Sequence, residues 1–240
     1  MAARAFRVAW TILSLFIVEC VVFGLALLPG VVLFLWLLQG TTALGLRIVS
    51  ISLALFPAYL IFALAFMVFA ATAVRLIGWR TPPDAEMTIR DLDWRLLGWV
   101  RYVASTHLVR LVAGAVFRGT PVWTFYLRLN GATAGQRVYV NSLSVMDHNL
   151  LEFGEGTVVG ADVHLSGHTV EGGVVHTGRV RIGCDVTLGT GSVIGIGVEI
   201  GDNTQVGALS LVPKYAKLAA PGVYFGIPVH RVEQRLEARD

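Results

Sequence analysis

Residues 180–213 read VRIGCDVTLGTGSVIGIGVEIGDNTQVGALSLVP. Within them Ile182-Gly183, Leu188-Gly189, Ile194-Gly195, Ile200-Gly201 and Val206-Gly207 recur in a six-residue frame without a slip, and Val212-Pro213 keeps the frame. An aliphatic residue followed by glycine at every sixth position describes a short strand and a tight corner. The aliphatic side chain fills an interior; glycine permits the positive φ or the close packing that a corner requires. Three such units close one triangular coil of a parallel β-helix, and stacking buries what a single coil leaves open. A β-sandwich would instead alternate over longer runs, with turns roughly every 8–12 residues.

The period continues upstream. Ala134-Gly135, Val140-Asn141 and Met146-Asp147 keep it, and Phe153-Gly154 and Val159-Gly160 resume it after a one-residue shift. Between Gly160 and Ile182 the frame breaks. Residues 165–173 (LSGHTVEGG) leave the coil as a loop, and Val180-Arg181-Ile182-Gly183 returns to it. Loops on rigid scaffolds concentrate function. Three of the six histidines, His164, His168 and His176, lie in or beside this one.

The first third is of another kind. The 240-residue chain is 55% hydrophobic and only 15% charged, whereas soluble domains carry about a quarter charged residues. Residues 8–38 hold no charge but Glu19. That run exceeds the apolar core of a signal peptide and lacks a cleavage site, so it reads as an anchor. A second apolar run covers residues 48–77. Two transmembrane helices follow, with a kink expected at Pro29-Gly30 and a turn at residues 39–42. Arg4 and Arg7 precede the first span, Arg75, Arg80, Arg90 and Arg95 follow the second, and the hairpin tip offers only Arg47. Positive charge stays inside, which puts both termini in the cytoplasm; a re-entrant hairpin is the alternative. Glu19 reads as a helix–helix contact. Residues 94–117 mix Trp, Leu and Arg as an interfacial helix would. No Lys/Arg block reads as a nucleic-acid footprint, and Cys20 and Cys184 form neither a disulfide framework nor a CxxC motif.

Leu165-Ser166-Gly167-His168-Thr169-Val170, the excursion and the hexapeptide run together resemble the hexapeptide-repeat acyltransferases of the galactoside and xenobiotic acetyltransferase type. The tail is similar too: residues 207–214 (GALSLVPK), then a Gly226-Ile227-Pro228 turn. The resemblance covers roughly residues 130–232. The layout with apolar helices ahead of the coil resembles the membrane-bound repeat domains at the end of ε-poly-lysine synthetase. This resemblance implies a left-handed parallel β-helix, a homotrimer, and acyl-CoA (acetyl-CoA foremost) lying between coils as donor. It also implies a loop histidine as general base, matched by His168. On the acceptor side it implies Asn141, Asp147 and His148; on the donor side, Ala208, Ser210 and Lys214. One departure is Leu209, where the family has glycine, adding bulk on the donor's path. Glu152 and Glu171 are candidates to orient the imidazole, and neither is selected by spacing. No metal is expected: the three loop histidines lie in one region, not on neighbouring coils as in the zinc-binding relatives. His107 and His230 read as incidental.

The expectation is therefore an α+β membrane protein. Residues 1–80 form a transmembrane hairpin, 81–129 an interfacial helical linker, 130–232 a left-handed β-helix and 233–240 a tail. The expected function is an inner-membrane acyltransferase of bacterial type acting on a hydroxyl or amine near the membrane. The alternative is a non-catalytic assembly subunit of a membrane complex that uses the coil as a trimeric scaffold.

Overall fold

The computed structural model describes residues 2–40 and 43–232; Thr41-Thr42 of the expected turn and the tail 233–240 lie outside the described residues. The chain opens with α1 (Ala2–Gly40) and α2 (Leu44–Ile77), both long and apolar enough to cross a membrane. At a rise of about 1.5 Å per residue α1 is roughly 58 Å long, about twice the hydrocarbon thickness of a bilayer. The two helices meet on small and aromatic positions: Val22, Ala26 and Gly30 of α1 face Ala58, Phe62, Ala63 and Phe66 of α2. The Phe23, Phe62 and Phe66 rings cluster 5.0–5.8 Å apart. α1 continues through Pro29 without a break in the helix. Gly30 is buried there against Ala58, so helix pairing supports the turn that proline weakens.

Gly78 ends α2, its N–H capping the Val74 carbonyl. After β1 (Glu86–Thr88), Asp93 starts α3 (Trp94–Val109) by accepting from the Leu96 N–H at 2.7 Å, which satisfies an otherwise orphan donor. One π turn (Arg110–Gly114) leads into α4 (Ala115–Phe117) and then α5 (Pro121–Leu129). α3 runs alongside α1: Arg7 donates to the Leu92 carbonyl and Arg101 Nε to Ser14 Oγ. Arg101 lies in the stretch 94–117 that its Trp, Leu and Arg content assigns to a membrane interface. It is buried, its guanidinium 5.7 Å from both the Trp79 and Trp94 rings, because stacking and the Ser14 bond replace water. Glu19 faces this helix near Ser105.

The repeat half is a parallel β-helix of three faces. Its first coil carries β2 (Thr133–Ala134) and β3 (Tyr139–Val140), and its second β4 (Leu151–Phe153), β5 (Val158–Val159) and β6 (His164–Leu165). The excursion holds β7 (His168–Glu171) and β8 (Val174–Thr177). The third coil holds β9 (Val180–Ile182), β10 (Thr187–Leu188) and β11 (Val193–Ile194), the fourth β12 (Glu199–Ile200), β13 (Thr204–Val206) and β14 (Leu211–Val212). β15 (Lys217–Leu218) and β16 (Gly222–Gly226) begin a fifth, and β17 (Val229–Arg231) folds back antiparallel on β16. Arg181, Glu199 and Lys217 stack in register, each three hexapeptides beyond the last. Ile182, Leu188, Ile194, Ile200, Val206 and Val212 all point inward and are buried, each worth about 1.5–3 kcal/mol.

Close packing, not positive φ, explains the glycine of each repeat. The repeat glycines have ordinary φ, but a Cβ on Gly154 would collide with the Gly183 carbonyl carbon of the next coil. Two irregularities interrupt the stack. Thr133 pairs with Glu152, one position further than three hexapeptides, so the first coil is one residue longer. Val145, not Met146 of the expected frame, is its buried inward residue and bridges to Leu165. That puts the surplus after it, in the segment of Asp147 and the 3-10 turn His148–Leu150. Val158 pairs with Thr187, and the surplus beyond three hexapeptides forms the excursion. It is an ordered hairpin and not an open loop. β1 adds to it as a third antiparallel strand, pairing Met87 with Val175. Thr177 Oγ1 donates to the Pro82 carbonyl and accepts from the Ala85 N–H. The polar stretch after α2 is thus the seam joining the helices to the coil.

Candidate active site

Both irregularities meet at one point. At the extra residue, Asp147 adopts φ +56°, ψ +48°, the left-handed region that Asp tolerates better than most side chains. This turns its carboxylate inward beneath the hairpin. Gly167 passes directly over it; a Cβ there would lie 2.9 Å from Asp147 Cβ. The carboxylate is buried and accepts five hydrogen bonds, divided by origin. Oδ2 receives His168 Nδ1 (2.5 Å), Ser166 Oγ (3.1 Å) and the Gly167 N–H (3.1 Å), all from the hairpin base. Oδ1 receives Thr81 Oγ1 (2.6 Å), from the segment leaving α2, and Trp99 Nε1 (3.2 Å), from α3. Asn149 clamps the Thr81 backbone, donating Nδ2 to its carbonyl and accepting its N–H. The Trp99 ring meets the His168 ring edge-on, centroids 5.0 Å apart.

Burial pushes the Asp147 carboxyl up, but the His168 hydrogen bond and charge, with the Thr81 and Trp99 donors, outweigh it and leave it below its usual 3.8. Asp147 is therefore the ionised partner that fixes Nδ1 of His168 as the protonated nitrogen. Nε2 makes no hydrogen bond among the described contacts, on a side chain 16% exposed. An imidazole held in one tautomer by a buried carboxylate, its other nitrogen open, can take a proton from an attacking group.

The remaining sequence candidates are distributed around this pair. Asp147, expected to touch an acceptor, sits behind the imidazole. His148 is buried between the Tyr102 and Tyr126 rings, donating to the Val145 carbonyl, and burial pushes its pKa down to about 4. Neither offers an acceptor an open surface. Asn141 lies at the corner after β3, beside Gly119 and Tyr139, and makes no hydrogen bond to His168 among the described contacts. Lys214 pairs with Glu171 at the hairpin tip, and Ala208 is exposed. Ser210 is buried, its Oγ accepting from the Gly226 N–H. Leu209, at φ +56° and 70% exposed, stands over Gly191. Glu152 bonds Arg179 and Arg181, so neither glutamate orients the imidazole. Of the other loop histidines, His176 faces Glu86. Among the described residues, no three His, Cys, Asp or Glu converge as a metal site would require. Sequence reasoning missed Thr81, Trp99 and Asn149, which follow no repeat. The signal that pointed near them was the one-residue slip, an irregularity in an otherwise strict lattice.

A three-faced parallel β-helix that pairs a histidine from an inserted hairpin with a buried aspartate of the preceding coil is the class of protein these features define. The chain is similar to the hexapeptide-repeat acetyltransferases. It is 27% identical over 167 residues to delta-poly-L-ornithine synthetase of Acinetobacter baumannii, covering 68% of this chain and 12% of that protein. It is 32% identical over 114 residues to galactoside O-acetyltransferase of Escherichia coli, covering 44% of this chain and 55% of that one. The chain thus spans about half the length of the second relative and a small part of the first. Among solved structures, a galactoside acetyltransferase in complex with coenzyme A overlaps 47% of this chain and 69% of its own, at 22% identity and a TM-score of 0.37. No family model matches.

Proposed function

We propose that the protein is a membrane-anchored acyltransferase that moves an acyl group from a thioester, acyl-CoA, to a hydroxyl or amine near the membrane. The observation that carries this reading is the His168–Asp147 pair at the hairpin base. His168 Nε2 removes the acceptor's proton as its oxygen or nitrogen attacks the thioester carbonyl. The tetrahedral intermediate collapses, the carbon–sulfur bond breaks, and the thiolate leaves with the proton from the imidazolium. Asp147 offsets the imidazolium charge formed between these steps. Acetyl-CoA is the donor favoured by similarity to galactoside O-acetyltransferase. Lys214, ion-paired with Glu171, and the exposed backbone at Ala208 are the positions that the resemblance gives to its phosphates and arm, whereas the Ser210 hydroxyl bonds the Gly226 N–H. In this reading the coil is left-handed and trimeric. Two helices of spanning length anchor it in a bacterial inner membrane, with the termini and coil cytoplasmic. The exposed Leu209 is the feature that favours a non-catalytic scaffold instead.

The test is His168→Ala in the full chain, reconstituted in nanodiscs with acetyl-CoA and candidate acceptors. Loss of transfer by about 10²–10⁴-fold with retained folding is expected. Parent-like turnover would remove His168 as the base.

A further inference from the structure

Between α1 and α3 runs a groove of about 560 Å³, a volume typical of small-molecule sites. Leu15, Phe16, Trp99, Val100, Val103 and Leu108 form its wall, which is almost wholly apolar, with Glu19 and His107 as its polar residues. We infer that this groove holds the hydrocarbon chain of a lipid or lipid-linked acceptor, placing the acceptor's polar end at His168. The inference rests on the acyltransferase reading and names its acceptor class.

Three observations on separate elements carry it. One wall of the groove is α1, a helix of membrane-spanning length, so a chain can enter from the bilayer without crossing water. The opposite wall includes Trp99, whose ring edge meets His168 and whose Nε1 donates to Asp147. The groove and the proton-transfer pair therefore share a residue. The third observation concerns direction. Lys214 meets the hairpin at Glu171, the tip end of β7, while Trp99 meets it at His168, the base end. Those ends lie about 10 Å apart at strand spacing. The donor-side lysine and the groove thus approach His168 from opposite ends, which gives the groove to the acceptor and not to the donor. Each methylene buried there raises affinity about fourfold.

The experiment uses the full chain in nanodiscs with a dodecanol that carries a diazirine at its chain end. After photolysis, labelled peptides are mapped by mass spectrometry. Expected are labels concentrated on residues 94–109 and on α1 around Leu15 and Phe16. Val100→Trp, which fills the groove from its exposed rim, should deplete them at least several-fold, as should Ala104→Trp. Melting measurements accompany both variants to show that the fold persists. Labels spread evenly over the exposed faces of α1 and α2, unaffected by either variant, would mean bulk lipid only and overturn the inference. Displacement of the label by dodecanoyl-CoA but not by dodecyl galactoside would assign the groove to the donor, and equally overturn it. His168→Ala separates the two readings. Groove labelling that survives with transfer lost supports both, whereas parent-like transfer in that variant rejects the base and leaves the labelling to be judged by itself.

Discussion

Replacing Asp147 by Asn keeps the side chain's shape and removes its charge. The carboxylate accepts three donors on Oδ2 and two on Oδ1, and an amide has only one oxygen to offer them. With its oxygen toward His168, the amide NH2 opposes the Trp99 indole N–H; reversed, it opposes His168 Nδ1 and the Gly167 N–H. The second arrangement turns the imidazole to the wrong tautomer, with its proton on Nε2. Loss of an effective base costs about 10²–10⁴ in rate, which is about 2.7–5.4 kcal/mol of barrier. Each lost bond to the buried charge adds about 1.5–3 kcal/mol of destabilisation. Because the Asp147 carboxyl lies below 3.8, its stabilisation is complete above that pH and drains away as pH falls through the depressed value. Asp147→Asn should lack that acid-side loss. The assay is thiol release from acetyl-CoA by the full chain in nanodiscs, with nitrogen NMR of the imidazole reporting the tautomer. Parent-like turnover with Nδ1 still protonated would refute the reasoning that the carboxylate sets the base.

Trp99→Phe and Thr81→Val each remove one donor from Oδ1. Each should lower kcat by roughly tenfold with the KM for acetyl-CoA unchanged, from about 1.5 kcal/mol per bond to a charge; a rise in that KM alone would place these residues in donor binding instead. His148 is neutral in the fold, its pKa pushed by burial from 6.5 to about 4, while the unfolded chain takes up the proton below 6.5. Stability should therefore fall between pH 6.5 and about 4, by on the order of 3 kcal/mol. His148→Phe should flatten that slope in pH-dependent melting, and an unchanged slope would show that another group titrates. Reporter fusions at residues 1 and 240 should both report the cytoplasmic side, as the arginines flanking the apolar runs require; a C-terminus on the far side would overturn the orientation and its access to acyl-CoA.

Local, periodic information in the sequence determined the architecture. The six-residue frame from Ile182 to Val212 specifies coils because each inward aliphatic must meet its counterpart one coil further on. The apolar runs specify two long helices because neither is interrupted by a polar turn before its end. The excursion and His168 were legible as a departure from that frame. What only the tertiary structure decided is how His168 is held. Asp147 comes from the coil before the excursion, Thr81 from the segment leaving α2, and Trp99 from a helix with no repeat in common with the coil. Hydrogen bonds between residues so far apart leave no period in a sequence, since only folding brings their donors to one carboxylate. The same holds for Arg101, which Trp79 and Trp94 flank from separate elements. Repetition writes a scaffold into its own chain; a site built once, where the scaffold is interrupted, is written only in space.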